Sequence, residues 1–219
     1  IHSKLDVLAR YVRAVKSAGI SVLPPDINKS GSLFTVDGEK ILFGLGAVSK
    51  VGGGAVEAIL AAREGGPFES LWDFLNKVDM RVVGKSVVEN LIKAGAFDAV
   101  SANRKQLLDS LQPMVEIVQR RASDGRQRSL LTLVEEEEDK NGPQLVDTED
   151  FDFHTRMTME KEATGLYISG HPCEHYESLY GDITTCTIGE LTFWKSSGCR
   201  PVVAGVVVDL QEKFTKRGD

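Results

Sequence analysis

Val51-Gly52-Gly53-Gly54-Ala55-Val56-Glu57-Ala58-Ile59-Leu60 and Val83-Gly84-Lys85-Ser86-Val87-Val88-Glu89-Asn90-Leu91-Ile92 are two versions of one pattern. A shift of 32 residues lays Val51, Gly52, Glu57, Ile59 and Leu60 on Val83, Gly84, Glu89, Leu91 and Ile92. In each copy a glycine-bearing turn leads into a segment whose apolar residues recur at helical spacing. The spacing predicts helices over about 55–63 and 85–93, with Gly95 closing the second.

Outward from this pair, a short helix around 45–50 is expected before the first turn. Ser70 can cap a further helix, through about Val78, that carries Leu71, Phe74 and Leu75 on one face. Each unit then reads as a helix-hairpin-helix, an arrangement suited to phosphate. Glycine lets a ligand approach the backbone, and a helix start presents unpaired N–H groups at its positive end. The residues expected to meet nucleic acid are Lys50, Val51, Gly52, Gly53 and Gly54 in the first hairpin. In the second they are Arg81, Val83, Gly84, Lys85 and Ser86. Such contacts read no bases, so binding should be sequence-independent and salt-sensitive. A single glycine-rich turn between helices is commonly only a turn. The second copy at a fixed offset moves the reading to nucleic acid.

Upstream, Leu5, Leu8, Val12 and Val15 predict a helix over residues 3–18, ended by Gly19. Pro24 and Pro25 force residues 22–28 to be extended. Two short strands, 33–36 and 40–44, are expected around a turn at Asp37-Gly38. Downstream, Leu107, Leu108, Leu111, Val115 and Val118 predict a helix over 103–121. Another is expected over 156–167. Val202, Val203, Ala204, Val206, Val207 and Val208 make a β-prone run. Its continuation through Lys213, Phe214, Lys216 and Arg217 fits the opening of a small barrel that contacts single strands with basic and aromatic groups. An ordinary edge hairpin is the plainer alternative. The predicted class is α+β and mainly helical: a tandem helix-hairpin-helix domain with a small β-hairpin, then a truncated OB-like β segment.

The 219 residues are 42% hydrophobic and 26% charged, which is enough apolar material for one or two cores. Their net charge of −6 looks unfavourable for a nucleic-acid partner, but its distribution is uneven. Residues 134–153 hold nine acids against Lys140, and the rest of the chain is about +2. That acidic stretch, with Asn141-Gly142-Pro143, reads as a flexible linker over 135–153. Cys173, Cys186 and Cys199 form neither a metal-ligand pattern nor a disulfide framework, and Pro172 breaks the helix that a His171/His175 metal pair would need. No metal site is expected. No run is apolar enough to span a bilayer. The chain, from Ile1 to Asp219, is expected to be a segment of a longer cytoplasmic protein.

Gln127-Arg128-Ser129-Leu130-Leu131-Thr132-Leu133 is a hydrophobic peptide between a basic flank and four glutamates. Two readings stand on these residues alone. It is either a linear docking peptide whose leucines enter a partner's pocket, or a short helix that packs on its own domain.

Together the motifs VLPPDIN at 22–28, FGLGAV at 43–48, VGGGAVEAI at 51–59, REGGPFESLWDF at 63–74, ENLIKAGAFD at 89–98, EKEATGLYISGHP at 160–172 and the closing AGVVVDLQEKFTKRGD carry a resemblance. Over nearly its whole length the sequence resembles the alpha subunits of bacterial DNA polymerase III, the C-family replicative polymerases. The resemblance implies a distal fingers segment at 1–43 and a tandem helix-hairpin-helix domain with its following helix at 44–122. It further implies a linker with a clamp-binding peptide at 123–153, a helical connector at 154–182 and the start of an OB domain at 183–219. In that family a Gln-x-Ser/Asp-Leu-Phe motif binds the sliding clamp. Gln127, Ser129, Leu130 and Leu131 match it, with Leu131 where phenylalanine is usual. The partners implied are duplex DNA, the sliding clamp, other replicase subunits and single-stranded DNA. The family's catalytic carboxylates, which hold Mg2+, lie in a palm domain whose sequence is not in this chain. The chain alone is therefore expected to be inactive and to need no cofactor. A stand-alone helix-hairpin-helix repair module and a protein-binding adaptor are the alternatives.

Overall fold

In the computed structural model of the chain, residues 2–124, 142–172, 176–193, 200–205 and 207 are described. Ile1–Ser169 forms one compact unit and Gly170–Asp219 a second. The first unit opens with helix α1 (His2–Ser17), whose Val12 is buried while Leu8 and Val15 pack partly on the core. Strand β1 (Val22–Leu23) follows, then β2 (Thr35–Asp37) and β3 (Lys40–Leu42). They form a three-stranded sheet of order β1-β3-β2, with β1 parallel and β2 antiparallel to β3.

The sheet differs from expectation in two ways. Asp37 pairs with Lys40, so the turn is Gly38-Glu39, with Gly38 at φ 61°, and strand β2 begins only at Thr35. The partner β1 adds a parallel edge that no alternating pattern announced. Ile41 N–H and Phe43 N–H reach the Ser21 and Leu23 carbonyls at 2.9 and 3.1 Å.

Ile27 and Asn28 fasten this sheet to the repeats. Ile27 N–H donates to the Ala96 carbonyl at 2.8 Å. Asn28 closes a two-way clamp on Phe68, its Nδ2 donating to the carbonyl at 2.9 Å and its Oδ1 accepting the N–H at 2.8 Å. Asp26 Oδ1 accepts the N–H of Asn28, which holds the loop in an Asx turn. Residues up to 43 therefore share one core with the repeats.

The repeats comprise a 3₁₀ turn (Leu45–Ala47), α2 (Gly53–Arg63), α3 (Leu71–Lys77), α4 (Met80–Val83) and α5 (Lys85–Lys93). Ser70 caps α3 as its position predicts, accepting the Asp73 N–H at 3.0 Å. Phe68, Phe74 and Phe97 make consecutive edge-to-face contacts at 4.9 and 5.1 Å through the middle of this assembly. Helix α6 (Arg104–Asp124) runs on past the expected end at 121, with Pro113 inside it. Asn103 caps it, its Oδ1 accepting the Gln106 N–H at 2.9 Å.

The described part of the acidic stretch is held to the fold. Residues 142–152 lie along α6 as a strap. Gly142 sits against the Trp72 indole, and Ser110 Oγ accepts the Val146 N–H at 2.9 Å. Asn103 Nδ2 donates to the Thr148 carbonyl, and Asp150 accepts the Lys105 N–H at 3.1 Å. Helix α7 (Phe153–Thr164) starts three residues earlier than expected, because Asp152 caps it through the Thr155 N–H at 2.8 Å. The Thr155 N–H and hydroxyl hold the Asp152 carboxyl below its ordinary value. The cap therefore contributes above the unfolded carboxylate pKa and fades as pH falls through the lowered one.

A charged network joins these parts. Arg104 is buried and forks onto Asp98, with Nε and Nη2 at 2.9 and 2.7 Å, while its Nη1 donates to the Lys93 carbonyl at 3.0 Å. Arg156 bridges Asp98 and Asp150 at 3.3 and 2.8 Å. The buried Glu160 accepts from the Ile168 and Ser169 N–H groups and the Ser169 hydroxyl.

In the second unit, α8 (Glu177–Tyr180) and a 3₁₀ turn (Glu190–Phe193) flank Thr185, which pairs with Val202. The Thr185 N–H donates to the Val202 carbonyl at 2.9 Å. Among the described residues of 200–207 no strand forms, and Val202, Val203 and Val207 are exposed. Strand propensity needs a ladder partner to be realised, and the described residues supply only Thr185. Residues 194–199, 206 and 208–219 of the expected OB-like segment lie outside the described residues.

Candidate nucleic-acid interface

The offset of 32 residues survives in three dimensions. Gly52 is the N-cap of α2 and Gly84 the N-cap of α5. Behind them the same positions are buried: Val51 and Val83, Ala55 and Val87, Val56 and Val88, Ile59 and Leu91. Burying equivalent faces in one core turns both helix starts outward.

The boundaries within each hairpin shift from those expected. Gly53 and Gly54 form the first turn of α2 instead of the loop before it. Arg81, Val82 and Val83 belong to the short helix α4, so Gly84 alone is the turn between α4 and α5. Gly84 holds φ 67°, a left-handed value that a side chain disfavours. In the first hairpin the left-handed residue is Lys50, at φ 64°, the only such non-glycine among the described residues.

Neither α2 nor α5 has a side-chain cap. Helices α3, α4, α6 and α7 are capped by Ser70, Asp79, Asn103 and Asp152. The two repeat helices thus leave their first-turn N–H groups open, at the end where the helix dipole is positive. The space over them is also clear. A Cβ built on Gly52, Gly53, Gly54 or Gly84 meets nothing within 4 Å. Gly53 and Gly54 have neither positive φ nor a close neighbour to demand glycine. What the missing side chains leave room for is therefore external to the fold.

The flanking charges are less free than the sequence implies. Arg81 is bidentate on Asp79, Nε to Oδ1 at 3.1 Å and Nη2 to Oδ2 at 3.0 Å. The Arg81 side chain and N–H hold the Asp79 carboxyl below its ordinary value, and Asp79 in turn raises Arg81. Lys85 pairs with Glu89 one turn along, at 3.2 Å. Lys50 is exposed and makes no ion pair among the described residues. Ser86 is exposed on the first turn of α5.

Ser49, which sequence reasoning passed over, anchors the first hairpin. Its N–H donates to the Ala163 carbonyl at 2.7 Å, at the end of α7. Glu162 beside it reaches Lys93 of α5 at 3.6 Å, so α7 braces both repeats. The candidate docking residues Gln127, Ser129, Leu130 and Leu131 lie outside the described residues, as do Lys213, Phe214, Lys216 and Arg217. Among the described residues no group of three or more His, Cys, Asp or Glu is placed to hold a metal ion. No described helix is long and apolar enough to cross a membrane.

A family model for the helix-hairpin-helix motif matches residues 19–107, which takes in the sheet and both repeats. The chain is 44% identical to the DNA polymerase III subunit alpha of Thermus aquaticus, over 97% of this chain and 17% of that protein. It is 38% identical to the corresponding subunit of Deinococcus radiodurans, over 97% of this chain and 17% of that one. Over nearly its whole length the chain matches one segment of DNA polymerase III alpha subunits. With the subunit of Aquifex aeolicus the identity is 37%, over 96% of this chain. In each case the chain spans 17% of the length of the alpha subunit it matches. The helix-hairpin-helix pair lies within the stretch shared with these subunits.

Proposed function

We propose that this chain is the duplex-holding and clamp-coupling part of a replicative, DNA-directed DNA polymerase. The observation that carries the reading is the pair of glycine-started helices. Their N–H groups are uncapped at equivalent positions, while four other helices of the same unit are capped. Phosphate oxygens suit such donors, and the buried faces behind hold the two starts as one rigid surface. The surface reads no bases, so it retains duplex of any sequence while a polymerase translocates. Lys50 supplies charge, while Arg81 and Lys85 are held by Asp79 and Glu89 and contribute less. Chemistry belongs to other parts of the family's chain, in the cytoplasm, with Mg2+ and the other replicase subunits. The OB-like tail, through Lys213, Phe214, Lys216 and Arg217, meets the single-stranded template.

Fluorescence anisotropy of the 219-residue chain with two unrelated duplexes across a salt series tests the main claim. Equal affinities for both are expected. With Lys50 neutralising one phosphate and Arg81 and Lys85 contributing less, the slope of log K against log salt should lie between about −1 and −2. The same mixtures, supplied with nucleotides and Mg2+, should extend no primer. Binding that is absent, or that differs strongly between the two sequences, contradicts the reading.

Clamp coupling rests on the Gln127-Arg128-Ser129-Leu130-Leu131 match to the family motif. Leucine in the last anchor position offers less contact area than an aromatic ring. Capture of the chain on immobilised sliding clamp is therefore expected to be weak in the parent. It should be lost in Leu130→Ala and strengthened in Leu131→Phe. Equal capture of all three contradicts the docking role.

A further inference from the structure

The two hairpins share a fold but not a surface. By the offset of 32, Val82 stands where the first hairpin has Lys50, and Lys85 stands where it has Gly53. Val82 is 52% exposed at the tip of α4, beside the open Gly84. The charges around it cancel in pairs, Arg81 with Asp79 and Lys85 with Glu89. An arginine that already holds a carboxylate gains little by taking a phosphate, since one anion replaces another and the displaced acid stays nearby to repel. The first hairpin is the opposite case: three consecutive open glycines and, at its tip, a lysine with no ion pair among the described residues.

We propose that the hairpins grip a duplex by different chemistry. The first takes phosphate through Lys50 and the open N–H groups of α2. The second seats Val82 against the apolar deoxyribose edge of a groove. This division rests on the duplex-holding reading and assigns the salt dependence mainly to one hairpin. A phosphate contact releases counterions and a sugar contact does not. The pair therefore combines a salt-sensitive hold with one that persists at high salt.

Three variants of the full 219-residue chain separate the roles, with duplex affinity followed across a salt series. Lys50→Met should flatten the slope of log K against log salt by about one unit. Asp79→Asn/Arg81→Met removes the ion pair while asparagine keeps the α4 cap, and should flatten it by less than half as much. Val82→Asn should weaken binding roughly three- to tenfold at every salt concentration, with the slope unchanged. All three sites are exposed, and a thermal melt of each variant confirms the fold. Parental affinity in Val82→Asn, or equal flattening by the two charge variants, overturns the division while leaving duplex binding intact. Failure of the parent itself to bind overturns the duplex reading and this division with it.

Discussion

Phe74→Ala should cost about 4 kcal/mol of stability, the largest loss expected from any apolar truncation in the repeats. Phe74 is wholly buried on α3, the helix between the two hairpin units. Its ring stands edge-on to Phe68 on one side and to Phe97 on the other. Removing it takes away transfer energy, leaves a cavity and deletes two aromatic contacts. The neighbours cannot close in, because Phe68 is fixed by its clamp on Asn28 and Phe97 by the turn after α5. With a total of about 5–15 kcal/mol available to a typical domain, such a loss threatens the fold itself. Urea unfolding followed by circular dichroism measures it. A loss below about 1.5 kcal/mol means that the site collapses, and that the trio does not frame the hairpins as described.

Arg104→Ala should be comparably damaging, at about 3–5 kcal/mol. Burial opposes the charge on this guanidinium, but hydrogen bonds and charge from Asp98, with added charge from Glu160 and Asp150, outweigh it and raise the pKa further. The group is therefore charged whenever the protein is folded. It answers one carbonyl at the end of α5 and both oxygens of Asp98, and truncation takes the donor from the Lys93 carbonyl and leaves Asp98 with Arg156 alone. Gly95, at φ 85°, makes the room: a Cβ there would lie 2.3 Å from Nη2. Arg104→Lys should not rescue stability, because an ammonium cannot fork onto a carboxylate and reach the Lys93 carbonyl together. Thermal melting of both variants checks this. A lysine variant as stable as the parent shows that charge alone, not the fork, is what the site needs.

What could be read from the sequence was local. The repeat, its buried face, the Ser70 cap and the Gly95 stop all follow from spacing and from what single residues do to a backbone. Hairpin boundaries moved because a 3₁₀ turn and a four-residue helix are too short to leave a periodic signature. The left-handed Lys50 could not be read, since only glycine advertises that conformation. Long-range ties were also silent. Asp150 accepts from Lys105 across 45 residues, and neither residue carries a local sign of it. An acidic run therefore read as a loose linker although its second half is a strap. The pairing of Lys85 with Glu89, by contrast, was available from their spacing of four on one helix. With Arg81 on Asp79 and Lys85 on Glu89, the second hairpin carries less free charge than its basic residues suggest.

Gly53→Ala/Gly54→Ala bears most directly on the account, because fold and function pull these residues in opposite directions. In the first turn of α2 both have room for a Cβ and neither needs positive φ. Alanine is the better helix former by about 0.5–1 kcal/mol per site, so the melting temperature should rise by a few degrees. If a phosphate backbone approaches these N–H groups, the added methyls obstruct it. Duplex affinity measured by anisotropy should then fall about tenfold, or about 1.4 kcal/mol. A variant that is more stable and binds duplex as tightly as the parent contradicts the claim that the open helix starts are the grip.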